Sequence, residues 1–94
     1  MAVRRNLKLT ENERASRLAD LAMLIRSRRE DFGLRQDELA DLAGCSTRFI
    51  SMAEHAKPTL QIDKLLDVLA VLGLELVVRP GHGTIIAGSE AAVS

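Results

Sequence analysis

The chain has 94 residues, the span of one domain with short tails, and its 13 basic side chains balance 13 acidic ones to a formal net charge of zero. That balance excludes a generic polycation that coats DNA or anionic membrane through bulk charge. Leu and Ala supply 27 residues against two aromatics, Phe32 and Phe49, which favours helices over an all-β sandwich or barrel. No apolar run reaches the roughly 18 residues of a membrane span, and the basic N-terminus, Met1 to Lys8, lacks the apolar stretch of a signal peptide. The single cysteine, Cys45, excludes a disulfide framework and a cysteine-based zinc site within one chain. These features predict a small cytoplasmic helical protein without cofactor, metal or membrane partner.

Glycine and proline punctuate the sequence. Between residues 16 and 80 they are Gly33, Gly44, Pro58, Gly73 and Pro80, each where an apolar periodic stretch stops. Leu18, Leu21, Ala22, Ile25 and Arg29 recur at three- and four-residue steps, predicting a first helix that ends at Phe32–Gly33. Thr10 and Glu13 have capping-box spacing, so its start extends back to Glu11 on one reading. Gln36 to Ala43 reads as a short second helix, with Leu39, Ala40 and Ala43 on one side and Asp37 and Glu38 in its first turn. Ser46 is a good N-cap for a third helix, Thr47 to about His55, with Ile50 and Ala53 inward. A fourth, from about Gln61 to Leu72, is expected to bury Ile62, Leu65, Leu66, Leu69 and Leu72.

After Gly73 the pattern changes. Leu74-Glu75-Leu76-Val77-Val78-Arg79 is rich in β-formers and closed by Pro80-Gly81, so it reads as a strand. A lone strand leaves its N–H and C=O groups without partners. Two solutions exist: pairing with the same segment of a second subunit, or a weak hairpin with Thr84-Ile85-Ile86. The dimer is the preferred reading, with Leu74, Leu76, Val77 and Val78 as its dimerisation residues. The chain thus divides into a basic arm (1–15), a helical domain (16–73), a strand (74–80) and a tail (81–94) expected to be mobile in isolation.

The second and third helices are joined by a three-residue turn. A steep, close crossing of two such helices requires a small residue on the first, a residue tolerant of positive φ in the turn, and an inward aliphatic on the second. Ala40, Gly44 and Ile50 meet these needs in order.

With those residues in register, positions 21–73 resemble the XRE/Cro-type helix-turn-helix family. The matching residues are Ile25-Arg26, Arg29, Gly33-Leu34, Gln36, Glu38-Leu39-Ala40, Gly44, Ser46, Ile50-Ser51 and Glu54. Two positions depart from the usual wording. Arg35 replaces a common Thr, losing a hydroxyl N-cap worth roughly 1 kcal/mol, and Cys45 replaces a common Val. The resemblance implies an all-α, compact, four- to five-helix lambda-repressor-like domain with one C-terminal β-strand paired across a dimer. Lys57-Pro58-Thr59, the fourth helix and Leu72-Gly73-Leu74-Glu75-Leu76 narrow the likeness to HipB-type antitoxins. That family is implied to be a homodimer which represses its own operon and holds a HipA-type Ser/Thr kinase toxin inactive.

In this fold the third helix lies in the major groove with its N-terminal residues at base edges. With Ile50 and Ala53 inward, its outer face carries Thr47, Arg48, Ser51 and Met52. Arg48 can pair bidentately with guanine O6 and N7, a contact worth roughly 1–3 kcal/mol of discrimination. Gln36 and Ser46 stand at helix N-termini that favour phosphate, with Arg35 and Lys57 as phosphate anchors on either side. For each polar residue the competing reading is a solvated surface position. Phe49 packs on the domain surface or stacks on a base, the former being preferred. The arm with Arg4, Arg5 and Lys8 is either a disordered tail, the preferred reading, or a groove contact. His55 reads as a helix-end cap and His82 has no ligand neighbours, so neither predicts a metal, and no catalytic constellation has supporting context. The expected partners are near-palindromic double-stranded DNA, a second copy of the chain and a HipA-type kinase. The alternative is a stand-alone XRE-type regulator without a toxin.

Overall fold

The computed structural model describes residues 8–80. Four helices follow one another in chain order: α1 (Glu11–Asp31), α2 (Gln36–Ala43), α3 (Thr47–Glu54) and α4 (Ile62–Val71). α1 starts at the early limit, because Thr10 and Glu13 form the reciprocal capping box: Glu13 N–H donates to Thr10 Oγ1 at 3.1 Å and Thr10 N–H to Glu13 Oε1 at 2.8 Å. Residues 11–15, assigned from sequence to the arm, are therefore helical.

One apolar cluster holds the domain together. Ile25 of α1, Leu39 and Ala40 of α2, Phe49, Ile50 and Ala53 of α3, and Leu65, Val68 and Leu69 of α4 with Leu72 are all buried in it. Each of the fully buried Ile25, Leu39, Ile50, Val68 and Leu72 contributes about 1.5–3 kcal/mol by leaving water. The principal packing pairs are α2 with α3, α2 with α4 and α1 with α3. Ala40 and Ile50 are both buried at the α2–α3 crossing, and Gly44 takes φ +73° at the end of α2, as the steep turn demands.

The helix ends share one chemistry. At Gly33, Gly44 and Gly73 the chain turns left-handed, and the next residue donates back into the helix: Leu34 to Arg29 O (3.1 Å), Cys45 to Ala40 O (3.0 Å) and Leu74 to Leu69 O (2.8 Å). α3 closes the same way without glycine. Ala56 sits at φ 58° while Lys57 N–H donates to Met52 O at 3.1 Å.

Three expectations are corrected. The segment 74–79 forms no strand among the described residues, because no second described segment lies beside it to exchange backbone hydrogen bonds; the hairpin partner Thr84–Ile86 lies outside the described residues. The described part is thus all-α with four helices, not five. In α4, Ile62 is 60% and Leu66 45% exposed. At about 100° per residue, Leu65, Val68, Leu69 and Leu72 already fill one arc, leaving Ile62 and Leu66 at its edge. Phe49 is neither on the surface nor free to stack on a base: at 5% exposure it belongs to the core.

Candidate nucleic-acid interface

α3 presents three apolar side chains inward and a polar face outward. Phe49, Ile50 and Ala53 are buried, Thr47 and Arg48 are exposed, and Ser51 and Met52 are half-buried. Met52 leans against the core cluster, so it has less free apolar surface than its position in the sequence suggests. Arg48 makes no salt bridge to any described residue. Ser46 caps the helix, its Oγ accepting from Phe49 N–H at 3.0 Å. At the far end His55 is the C-cap, with Nδ1 2.7 Å from Ser51 O.

The first turns of the helices differ in charge. Glu11 and Glu13 lie in that of α1, Asp37 and Glu38 in that of α2, and Asp63 in that of α4, while α3 has no acid there. The partial positive charge at the α3 N-terminus is thus joined by Arg48 and opposed by no carboxylate of its own turn. α2 is the contrary case. Arg35 Nε donates to Asp37 Oδ1 at 3.0 Å, and its Nη1 lies 3.6 Å from Glu38 Oε2. Glu38 Oε1 accepts from Arg35 N–H at 2.8 Å; the reciprocal half of the box is missing because a guanidinium has no acceptor. Asp37 holds the Arg35 guanidinium firmly protonated, and Arg35 in turn holds the Asp37 carboxyl below its ordinary range. Arg35, expected as a phosphate anchor, is therefore already occupied by carboxylates.

Gln36 is engaged too: its Nε2 donates to Glu54 Oε1 at 3.1 Å. This leads to a junction of residues that the sequence marked as matching positions of the family, without joining them. Glu54 takes a bidentate pair from Arg29, Nε to Oε2 at 2.6 Å and Nη2 to Oε1 at 3.0 Å, while Arg29 Nη1 donates to Leu34 O at 2.7 Å. Donating to the Glu54 carboxylate, together with the charge of Glu54, raises the Arg29 pKa. A signal was present in the sequence. Arg29 follows Ile25 by four residues and Glu54 follows Ile50 by four, placing opposite charges on the buried arcs of two helices. The Arg29–Glu54–Gln36 junction ties α1, α2 and α3 together, fixing α3 against the other two. Lys57 is exposed just beyond α3. Cys45, half-buried beside the turn, has its thiol pKa raised by burial.

Comparison with known proteins bears on this geometry. A family model described as helix-turn-helix matches residues 25–78, more than half of the chain. The chain belongs to the helix-turn-helix family of DNA-binding transcription regulators. This family is not enzymatic. Over 65 residues the chain is 48% identical to y4mF, an uncharacterized HTH-type transcriptional regulator of Sinorhizobium fredii (strain NBRC 101917 / NGR234), a match covering 68% of this chain and 86% of that protein. Two solved structures share the helix-turn-helix arrangement. The clp gene regulator ClgR from Corynebacterium glutamicum superposes with a TM-score of 0.55 at 28% identity, covering 62% of each chain. A toxin–antitoxin module from Streptococcus pneumoniae gives 0.58 at 31% identity, covering 81% of this chain and 87% of that one. No helix among the described residues is long and apolar enough to cross a membrane.

Proposed function

We propose that this helix-turn-helix protein is a dimeric, sequence-specific repressor and the antitoxin of a HipA-type kinase operon in the bacterial cytoplasm. The observation that carries the DNA-binding half is the N-terminal turn of α3, with exposed Thr47 and Arg48, a Ser46 cap and no acid. Arg48 reads a guanine edge, Thr47 and Ser51 hydrogen-bond to bases or backbone, and Met52 offers apolar contact at the groove wall. Ser46 and Lys57 hold phosphates beside α3. Gln36 does so with the part of its amide not given to Glu54, and Arg35 only by exchanging Asp37 and Glu38 for phosphate. Segments 74–79 of two copies pair as a ribbon through Leu76, Val77 and Val78, with Leu74, whose N–H is held by Leu69 O, at its root, setting two α3 helices into successive major grooves about 34 Å apart.

The antitoxin half is supported by the likeness to the S. pneumoniae toxin–antitoxin module. Its kinase class is supported by the resemblance of Lys57-Pro58-Thr59 and Leu72 to Leu76 to HipB-type proteins. A stand-alone regulator is the second reading, favoured by the identity with y4mF. Co-purification from the native host, followed by mass spectrometry, tests the choice. A HipA-like kinase bound to the chain establishes the antitoxin; operator binding with no such partner establishes the stand-alone regulator.

A further inference from the structure

We propose that Arg28 is a positioning residue: it sets the direction in which segment 74–80 leaves the domain, and hence the half-site spacing that the dimer accepts. The inference rests on the dimer reading above. Arg28 reaches across 44 residues of sequence, its Nε donating to Leu72 O at 2.8 Å. Leu72 is the C-cap of α4, and its carbonyl stands at the last point before the chain turns out of the domain. The same guanidinium lies over the Phe32 ring, 5.1 Å from its centroid, which fixes the plane of the fork from the α1 side. Gly73 then turns at φ +71°, and a Cβ built there would stand 3.3 Å from Arg28 Nη2. Leu74, the next residue, is half-buried against the core and closes the α4 end with its N–H. Beyond it, residues 75–80 are exposed and carry no regular structure among the described residues.

The geometry around this arginine gives it leverage. α1 is not among the principal packing partners of α4, and among the described residues the Arg28–Leu72 bond is the side-chain hydrogen bond that joins α1 to the end of α4. Helix α1 also packs on α3 and holds Glu54 through the adjacent Arg29. One turn of α1 therefore grips the reading helix with one arginine and the root of the dimer segment with the next. If the root swings, both half-sites remain readable singly, but the relative placement of the two α3 helices is no longer set. Adding one base pair between half-sites rotates the second site by about a tenth of a turn, and a dimer with a fixed root loses the avidity of its second contact.

The test uses the full chain and an operator selected in vitro from random duplexes with the wild-type protein. Gel-shift titrations at fixed salt then compare that operator with versions lengthened or shortened by one and two base pairs between half-sites, alongside a single half-site. Wild type is expected to lose about tenfold or more in affinity on each altered spacing. Arg28→Met is expected to bind all spacings within about threefold of one another, with half-site affinity unchanged. Arg28→Lys, which keeps a donor and a charge within reach of Leu72 O, restores part of the spacing preference. Arg28→Gln serves in the same comparison if the methionine variant does not fold. A dimer of Arg28→Met that keeps the wild-type spacing profile overturns the inference alone. Wild type that sediments as a monomer on its selected operator overturns the dimer reading and this inference with it.

Discussion

Arg29 and Glu54, 25 residues apart, form a bidentate ion pair whose side chains are only 12% and 2% exposed. Both charges have left water, and the remaining Glu54 capacity goes to Gln36. Removing one partner strands the other. Glu54→Ala is expected to lower the unfolding free energy by about 3–5 kcal/mol, whereas Arg29→Met with Glu54→Leu loses much less. Urea titrations of the single and double variants read the difference; a double variant as damaged as the single one would show that the pair acts through packing alone.

Arg48 is exposed and unpaired by any described carboxylate, so its removal leaves the fold alone. Arg48→Ala is expected to remove about 1–3 kcal/mol of base discrimination per half-site, weakening specific operator binding while the dimer persists. Gel-shift titration at fixed salt, against specific and scrambled duplexes, decides it. Unchanged selectivity would remove Arg48 from the reading face.

Ala56 holds a left-handed conformation, φ 58°, at the end of α3, where the other three helices have glycine. For an L-residue with a Cβ this costs on the order of 1 kcal/mol. Ala56→Gly is therefore expected to stabilise the domain, raising Tm by roughly 4–8 °C per kcal/mol gained. A lower Tm on thermal melting would mean that the extra freedom of the unfolded glycine chain outweighs the relieved strain.

Val77→Pro tests the ribbon. Proline removes a backbone donor from the ladder, so the variant is expected to sediment as a monomer with its helical signal intact. Among the described residues no side chain beyond Leu74 packs against the core, which leaves the helices independent of a change at position 77. A persistent dimer places the interface elsewhere.

Two surface carboxylates are expected to make the domain less stable in acid. Thr10 hydrogen bonds lower the Glu13 pKa below 4.5, and Arg35 lowers that of Asp37 below 3.8. Because both folded values lie below the unfolded ones, the stabilisation is complete above the unfolded values and disappears as pH falls through the folded ones. Tm is therefore expected to decline as pH falls through the carboxylate range, and to decline less steeply for Glu13→Gln with Asp37→Asn. These replacements keep the hydrogen-bond acceptors but do not titrate. Equal slopes would assign the loss of stability in acid to other groups.

Much of the fold was legible because its signals are local. The Thr10–Glu13 box, the Ser46 cap and the glycines at 33, 44 and 73 each act within one turn of chain, and every helix end except the close of α3 and the start of α4 lies near one of those marks. Phe49, Ile62 and Leu66 were misjudged because hydrophobicity says that a residue can be buried, while a neighbouring helix decides whether it is. The exposed pair Thr47 and Arg48 was readable from the inward Ile50 and Ala53. The fates of Arg35 and Gln36 were not, since each depends on which carboxylate stands within 3–4 Å.

By itself the sequence determined the helical class, the order of the helices, the helix-turn-helix register of Ala40, Gly44 and Ile50, and the outer face of the reading helix. These follow from periodicity, capping and the φ preferences of single residues, all short-range along the chain. Only the tertiary structure decided which charges are free and which are spent. Arg48 remains open, Arg35 is held by its own helix turn, Arg29 is joined to Glu54 and Arg28 to the end of α4. An arginine carries the same charge wherever it stands; the partners of Arg28 and Arg29 lie 44 and 25 residues along the chain and are set only when the helices pack, whereas those of Arg35 stand in the adjoining turn.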